Sequence, residues 1–166
     1  MSEQKVTPFF WFDNNAEEAV AFWISVFKGK LGEVSRYGPE GPGPEGSAMV
    51  VPFTLYGQEF LALNGGPEFE FTPAISFVIN CDTQEEIDAL WEPLCDGGET
   101  MQCGWVRDKF GMTWQIVPSA MPDLLDRDDP ERASRVMQAM FKMVKLDLNV
   151  LRAAYDNREP ATPLSR

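Results

Sequence analysis

Gln115, Ser76, Asn80 and Asn64 are amide and hydroxyl side chains set in otherwise apolar, strand-like runs. A buried polar group of this kind must find a partner, either the protein's own backbone or a bound molecule. Trp105 offers a ring able to stack on a planar ligand or simply to fill the core, and Phe10 and Phe12 extend the same chemistry. Cys103 could serve as a nucleophile, its thiolate favoured by Arg107 or a helix end; the plainer reading is a small inert core residue. Arg107 with Asp108 could hold an anion or relay a proton, or form a surface ion pair at a turn. The Glu17-Glu18 and Glu85-Glu86 pairs fall in first helical turns, where the positive end of the helix dipole accounts for them.

The chain contains no histidine. That excludes Ser–His–Asp and Cys–His catalysis. It also removes the nitrogen ligand of most zinc, iron and copper sites, so neither a metal nor another cofactor is expected. Cys81, Cys95 and Cys103 have no zinc-ligand spacing and are odd in number, which reads as reduced thiols in a cytoplasmic protein. A net charge of -12 argues against nucleic acid and against an anionic membrane surface. No run approaches the ~20 apolar residues of a membrane span, and Met1 to Thr7 has no apolar signal core.

The elements that must position these residues follow from periodicity. Val6 to Phe12 reads as a buried strand, and Asp13, Asn14 and Asn15 offer caps to a helix carrying Ala19, Phe22, Trp23, Val26 and Phe27. A short strand over Glu33 to Tyr37 leads into a Gly/Pro loop, then Ala48 to Tyr56 and Gln58 to Asn64 form a hairpin about Gly57. A second cycle runs through a strand at Ala74 to Asn80 and a helix capped by Asp82 or Thr83. It ends with strands over Glu99 to Gln102, Cys103 to Asp108 and Met112 to Val117.

The cycles superpose at one offset. Glu17-Glu18, Trp23 and Gly29 recur 68 residues later as Glu85-Glu86, Trp91 and Gly97, and the same shift sets Phe9 on Phe77 and Trp11 on Ile79. Alternation then directs Ile75, Phe77 and Ile79 to the helix, with Ser76, Val78 and Asn80 toward a cavity. By the same logic Phe9 and Trp11 meet the first helix, and Phe10 and Phe12 face the cavity. On the last strand Trp114 and Ile116 oppose Thr113, Gln115 and Val117. Beyond Pro118, Asp128-Asp129-Pro130-Glu131 starts a helix with Val136, Met137, Met140 and Met143 as its stripe, and Asp147 caps another through Leu148, Leu151 and Tyr155.

Pro8-Phe9-Phe10-Trp11-Phe12-Asp13, Asn15 to Val20, Leu61 to Gly66, Gln102 to Trp105, Asp108 to Gly111, Trp114 to Pro118 and Arg135 to Met140 together resemble the PhnB-like proteins. These carry the label 3-demethylubiquinone-9 3-methyltransferase domain within the vicinal-oxygen-chelate (glyoxalase/bleomycin resistance/dioxygenase) superfamily. The resemblance runs from about Val6 to Tyr155. It implies an α+β fold of paired βαβββ modules forming a curved eight-stranded mixed sheet, commonly as a homodimer, with C-terminal helices added. The modules fall at about 5–66 and 73–118 within a domain spanning 1–118, and 119–166 is a helical extension.

In chelating members of the superfamily, His or Glu on the first and last strands of each module holds a divalent metal. Here the matching positions are Gln115, Ala74, Pro8 and Ala62 or Asn64, none a strong ligand. Asn64-Gly65-Gly66 is followed by Pro67 rather than a helix start, unlike an S-adenosylmethionine site. The resulting expectation is a metal-free cavity binding a small, largely apolar or planar molecule through Gln115, Trp105, Ser76, Asn80, Asn64, Phe10, Phe12 and Cys103. The alternatives are a superfamily enzyme (lyase, dioxygenase or the nominal methyltransferase) and an oligomerisation or partner-binding module built on the Met-rich helices.

Overall fold

In the computed structural model, which describes residues 4–161, the first strand is β1 (Phe9–Phe12). It starts later than Val6, whose side chain is 82% exposed. A three-residue link, Asp13 to Asn15, leads into α1 (Ala16–Phe27), which buries Ala19, Val20, Trp23 and Phe27 as one apolar stripe. Lys28 adopts a left-handed conformation and returns its N–H to the Ile24 carbonyl, ending the helix. Two short strands follow, β2 (Lys30–Leu31) and β3 (Ser35–Arg36), in place of one strand over Glu33 to Tyr37. The Gly/Pro loop then wraps the buried ring of Tyr37, whose hydroxyl donates to the Asn64 carbonyl at 2.6 Å. The hairpin is β4 (Ala48–Leu55) and β5 (Gln58–Asn64). Strand order is β1-β5-β4-β2, with β1 parallel to β5, the remaining pairs antiparallel, and β3 also pairing β4.

The chain divides into two units, one through Phe71 and one from Thr72. The second unit repeats the first. It runs β6 (Phe77–Cys81), α2 (Gln84–Cys95), β7 (Glu99–Thr100), β8 (Trp105–Arg107) and β9 (Thr113–Pro118), in the order β6-β9-β8-β7. Again the first strand is parallel to the last and the others are antiparallel. The result is an α+β chain with two mixed sheets.

One offset does not serve every element, and this corrects the face assignment of the first unit. The helices do stand 68 apart, Ala16–Phe27 against Gln84–Cys95. The strands preceding them do not. Phe12 pairs with Asn64 and Cys81 with Pro118, each partner lying seven residues past its hairpin glycine, Gly57 or Gly111. Phe12 therefore matches Cys81 and Phe10 matches Ile79, an offset of 69. The extra residue is in the strand–helix link, three residues in the first unit and two (Asp82, Thr83) in the second. Because strand side chains alternate with period two, a one-residue slip exchanges the faces. Phe10 and Phe12 are buried with their ring centroids 5.7 Å from that of Trp23 on α1, while Phe9 is 51% exposed. In the second unit Trp114 and Ile116 are buried and Val78 is 49% exposed, as the alternation predicts, but Ile75, which precedes β6, is 69% exposed and not on the helix face, and Thr113 at the start of β9 is buried.

After β9 come α3 (Met121–Leu124), which the sequence pattern did not announce, α4 (Pro130–Met140) and α5 (Leu148–Asp156). Asp129 and Asp147 accept the Arg132 and Val150 N–H groups as N-caps. Met121, Leu124, Val136, Leu146, Leu148 and Leu151 form a core of their own, with Val117 of β9 packed against it. Among the described residues no helix is long and apolar enough to cross a membrane.

Candidate functional site

Hydrogen-bond register across the second sheet aligns three side chains. Gln115 on β9 lies opposite Trp105 on β8 and Val78 on β6, so ring, amide and valine form one row on the face turned away from α2. Gln115 Nε2 donates to Ser76 Oγ at 2.8 Å. Gln115, Ser76 and Trp105 are all half-buried, and Asn80, further along the same strand face, is exposed. Four of the eight residues expected at the site thus share one face. Beside them an open groove of 540 Å³ is lined by Glu99, Met101, Gln102, Cys103, Trp105 and Val144. Cys103 borders this groove with a left-handed backbone (φ 61°), its Sγ 3.6 Å from the Met140 carbonyl.

The remaining three are placed elsewhere. Phe10 and Phe12 belong to the core beneath α1. Asn64 shares their face, where its Oδ1 accepts the Ala16 N–H at 2.9 Å and its Nδ2 donates to the Ala48 carbonyl at 3.1 Å. It supplies the cap that Asn15 does not, since Asn15 makes no side-chain capping bond. With the corrected offsets the first-unit counterpart of Gln115 is Leu61, not Ala62 or Asn64, and that of Ser76 is Thr7. Both line a separate groove of 390 Å³ on the open face of the first sheet, with Lys30, Pro52, Thr54 and Glu59. That groove is missed by motif reading because its lining is ordinary strand sequence; alternation with the right parity would have found it.

Asp108 is not poised for proton transfer with Arg107. It is 3% exposed, and its Oδ1 accepts the Phe110 and Met112 N–H groups while Oδ2 accepts Trp114 Nε1–H at 2.8 Å. It braces the β8–β9 turn. Arg107 instead pairs with Glu99 on β7. Burial pushes the Cys81 thiol up to about 11, with the charges of Glu86 and Asp82 adding to the shift, so this sulfur stays protonated and unreactive at neutral pH.

The donor set does not suit a transition metal. Among the described residues no three His, Cys, Asp or Glu side chains converge. The best-placed donors, Gln115 and Ser76, are neutral and already bonded to each other, and neutral amides and hydroxyls bind such ions weakly. The Gly65-Gly66 turn is likewise committed to packing. A Cβ at Gly65 would come within 2.4 Å of the Trp11 ring, and the Gly66 carbonyl accepts Trp11 Nε1–H at 2.8 Å.

The two mixed sheets, each with its first strand parallel to its last, build the glyoxalase/bleomycin resistance fold. Within it the chain belongs to the PhnB-like family, because the family model described as 3-demethylubiquinone-9 3-methyltransferase matches residues 4–117. Among solved structures it is similar to the Bacillus cereus PhnB protein, which carries a provisional 3-demethylubiquinone-9 3-methyltransferase name. The two are 37% identical over 70% of this chain and 100% of that one, with a TM-score of 0.65. Protein PA1353 from Pseudomonas aeruginosa (20% identity, 70% and 98% covered, TM-score 0.59) shares the fold. So does the fosfomycin resistance protein FosX of Listeria monocytogenes (15% identity, 76% and 100% covered, TM-score 0.57). No curated protein matches the chain.

Proposed function

We propose that this protein binds a small, largely apolar or planar molecule on the open face of the second sheet, with Trp105 stacking on it and the Gln115–Ser76 pair presenting hydrogen-bonding groups to its polar edge. The observation that carries this reading is the row Trp105–Gln115–Val78, held in register on a face that α2 does not cover. An aromatic ring beside one oriented amide is the usual composition of a small-molecule site, where apolar area supplies affinity and a few polar groups fix orientation. The ligand set is therefore Gln115, Ser76 and Trp105, with Asn80 and Cys103 at its margins. We further place the protein in the cytoplasm as a homodimer, on its reduced thiols and family resemblance.

Methyl transfer, suggested by the family's name, finds less support, since the Gly65-Gly66 turn cradles Trp11 and does not open a helix. Fluorescence titration with the neutral planar probe N-phenyl-1-naphthylamine tests the binding reading. Saturable uptake by the full chain that falls at least about fivefold in Trp105→Ala supports it, on the scale of one lost stacking contact. No uptake by the natural protein, together with no thermal stabilisation across a set of planar aromatic compounds, would refute it.

A further inference from the structure

Trp105 enters β8 from a turn over Gln102 to Trp105, closed by the Trp105 N–H donating to the Gln102 carbonyl at 3.2 Å, and the C-terminal extension bonds to that turn. Cys103 and Gly104 both have positive φ, 61° and 81°. A side chain in that region costs energy and persists only when its surroundings over-determine it. Here they do. The Cys103 N–H donates to the Met143 carbonyl at 2.9 Å and the Gly104 N–H to the Val144 carbonyl at 2.7 Å. From the opposite side the Ile116 N–H donates to the Gly104 carbonyl at 2.8 Å. A Cβ at Gly104 would meet the Ile116 carbonyl oxygen at 2.7 Å and the Leu146 side chain at 3.0 Å, so this close approach is available to glycine alone.

The segment from Met140 to Leu148 is itself tied to α2. Gln84 Nε2 donates to the Leu146 carbonyl at 3.2 Å, Gln84 Oε1 accepts the Leu148 N–H at 2.8 Å, and Lys145 pairs with Asp88 at 2.6 Å. Val144 lines the same groove as Trp105, and Val117, two residues beyond Gln115, packs on the extension's core. The segment from Met140 to Leu148 lies outside residues 4–117, the part matched by the family model, while the groups it bonds to lie within them.

We propose that residues 140–148 form a strap that sets the Cys103–Gly104 turn and thereby positions the Trp105 ring. The extension is then part of ligand recognition, with Cys103, Gly104 and Gln84 as positioning residues. The ligand consequence rests on the binding reading above; the strap itself does not.

The test uses the full chain labelled with 5-fluorotryptophan, the Trp105 resonance being assigned with Trp105→Phe. Cys103→Gly keeps the left-handed backbone and should leave that resonance unchanged. Cys103→Val, β-branched and disfavoured at positive φ, should shift or broaden it, and Gln84→Ala should do the same from the far side of the strap. Amide exchange at Cys103 and Gly104 should quicken about tenfold or more in both perturbing variants, as local opening becomes easier. N-phenyl-1-naphthylamine should bind about three- to tenfold more weakly to them than to Cys103→Gly. An unmoved Trp105 resonance with unchanged exchange in both Cys103→Val and Gln84→Ala overturns the strap. Equal impairment of Cys103→Gly and Cys103→Val also overturns it, pointing to the thiol instead. If the natural protein takes up no probe, the binding reading fails while the fluorine and exchange results still decide the strap.

Discussion

Asn64 Oδ1 accepts the Ala16 N–H at 2.9 Å, so the first helix is capped by the end of the strand parallel to β1, not by the residues that precede it in the chain. The same amide donates to Ala48 at the start of β4 and so locks helix and sheet together. Helix N-termini leave donors that must be met, and a tertiary partner serves as well as a local one.

Replacing Asn64 with Ala should therefore destabilise the fold by about 1–3 kcal/mol, the range for losing a cap and leaving a second buried group unmet. Asn64→Asp keeps the acceptor and adds a charge suited to the helix end, so it should lose less. Urea unfolding of the three proteins gives the ranking. Equal stability of Asn64→Ala and the natural protein would show that water replaces both bonds and that the residue is free to serve a ligand.

Asp108 carries the equivalent test for the β8–β9 turn. Asp108→Ala strands the Phe110 and Met112 N–H groups and the Trp114 indole N–H in a buried place, and should cost about 2–4 kcal/mol. Asp108→Asn retains one acceptor oxygen and should fall between. Thermal unfolding read through tryptophan fluorescence separates the cases. A protein fully stable as Asp108→Ala would return the carboxylate to the list of groups available for chemistry.

Most of the topology is legible in the residues because it rests on contrasts the chain repeats: glycine hairpins, aromatic strands, and acidic helix starts at 68-residue spacing. The open face of the second sheet is legible too, since Ser76, Val78 and Gln115 alternate cleanly against Phe77, Ile79, Trp114 and Ile116. What fails is parity in the first unit. Phe9, Phe10, Trp11 and Phe12 are all large and apolar, so alternation carries no signal there. The face had to be borrowed from the second unit through an offset wrong by one residue. Burial of Phe10 and Phe12 and the capping role of Asn64 follow from that single extra residue before α1. The strap contacts at Cys103 and Gly104 are backbone bonds at long separation, which no side-chain pattern encodes.

Cys81 yields a prediction in pH. Its thiol is held up to about 11 by burial, then by the charges of Glu86 and Asp82. Below its unfolded value near 9 the thiol is protonated in both states and the contribution is intact. As the pH rises from 9 to 11 the unfolded chain releases a proton that the folded one keeps, so stability falls by roughly 2–3 kcal/mol across that window. Denaturant unfolding at stepped alkaline pH should show this slope, and Cys81→Ala should flatten it. At pH 8 a thiol reagent should label Cys103 well before Cys81, whose side chain is 1% exposed; equal rates would contradict the burial.

The strap should loosen at acid pH. Burial alone would raise the Asp88 carboxyl, but hydrogen bonds from Lys145 and Gln84 and the Lys145 charge outweigh it and hold it below its ordinary value. A lowered carboxylate contributes stability that is present above the unfolded value and lost as the pH falls through the folded one, which puts the loss below about pH 4. The pair is partly exposed, so salt screens it and the effect on overall stability is small. Local protection is the sensitive reading. Exchange of the Cys103, Gly104 and Leu148 amides, referenced to strand amides of the first unit and corrected for intrinsic rates, should quicken selectively as the pH falls below about 4. Lys145→Met should quicken these amides already at neutral pH and remove much of the acid dependence. Acid protection identical at strap and strand amides would mean that backbone bonds to Met143 and Val144 hold the strap without help from Asp88.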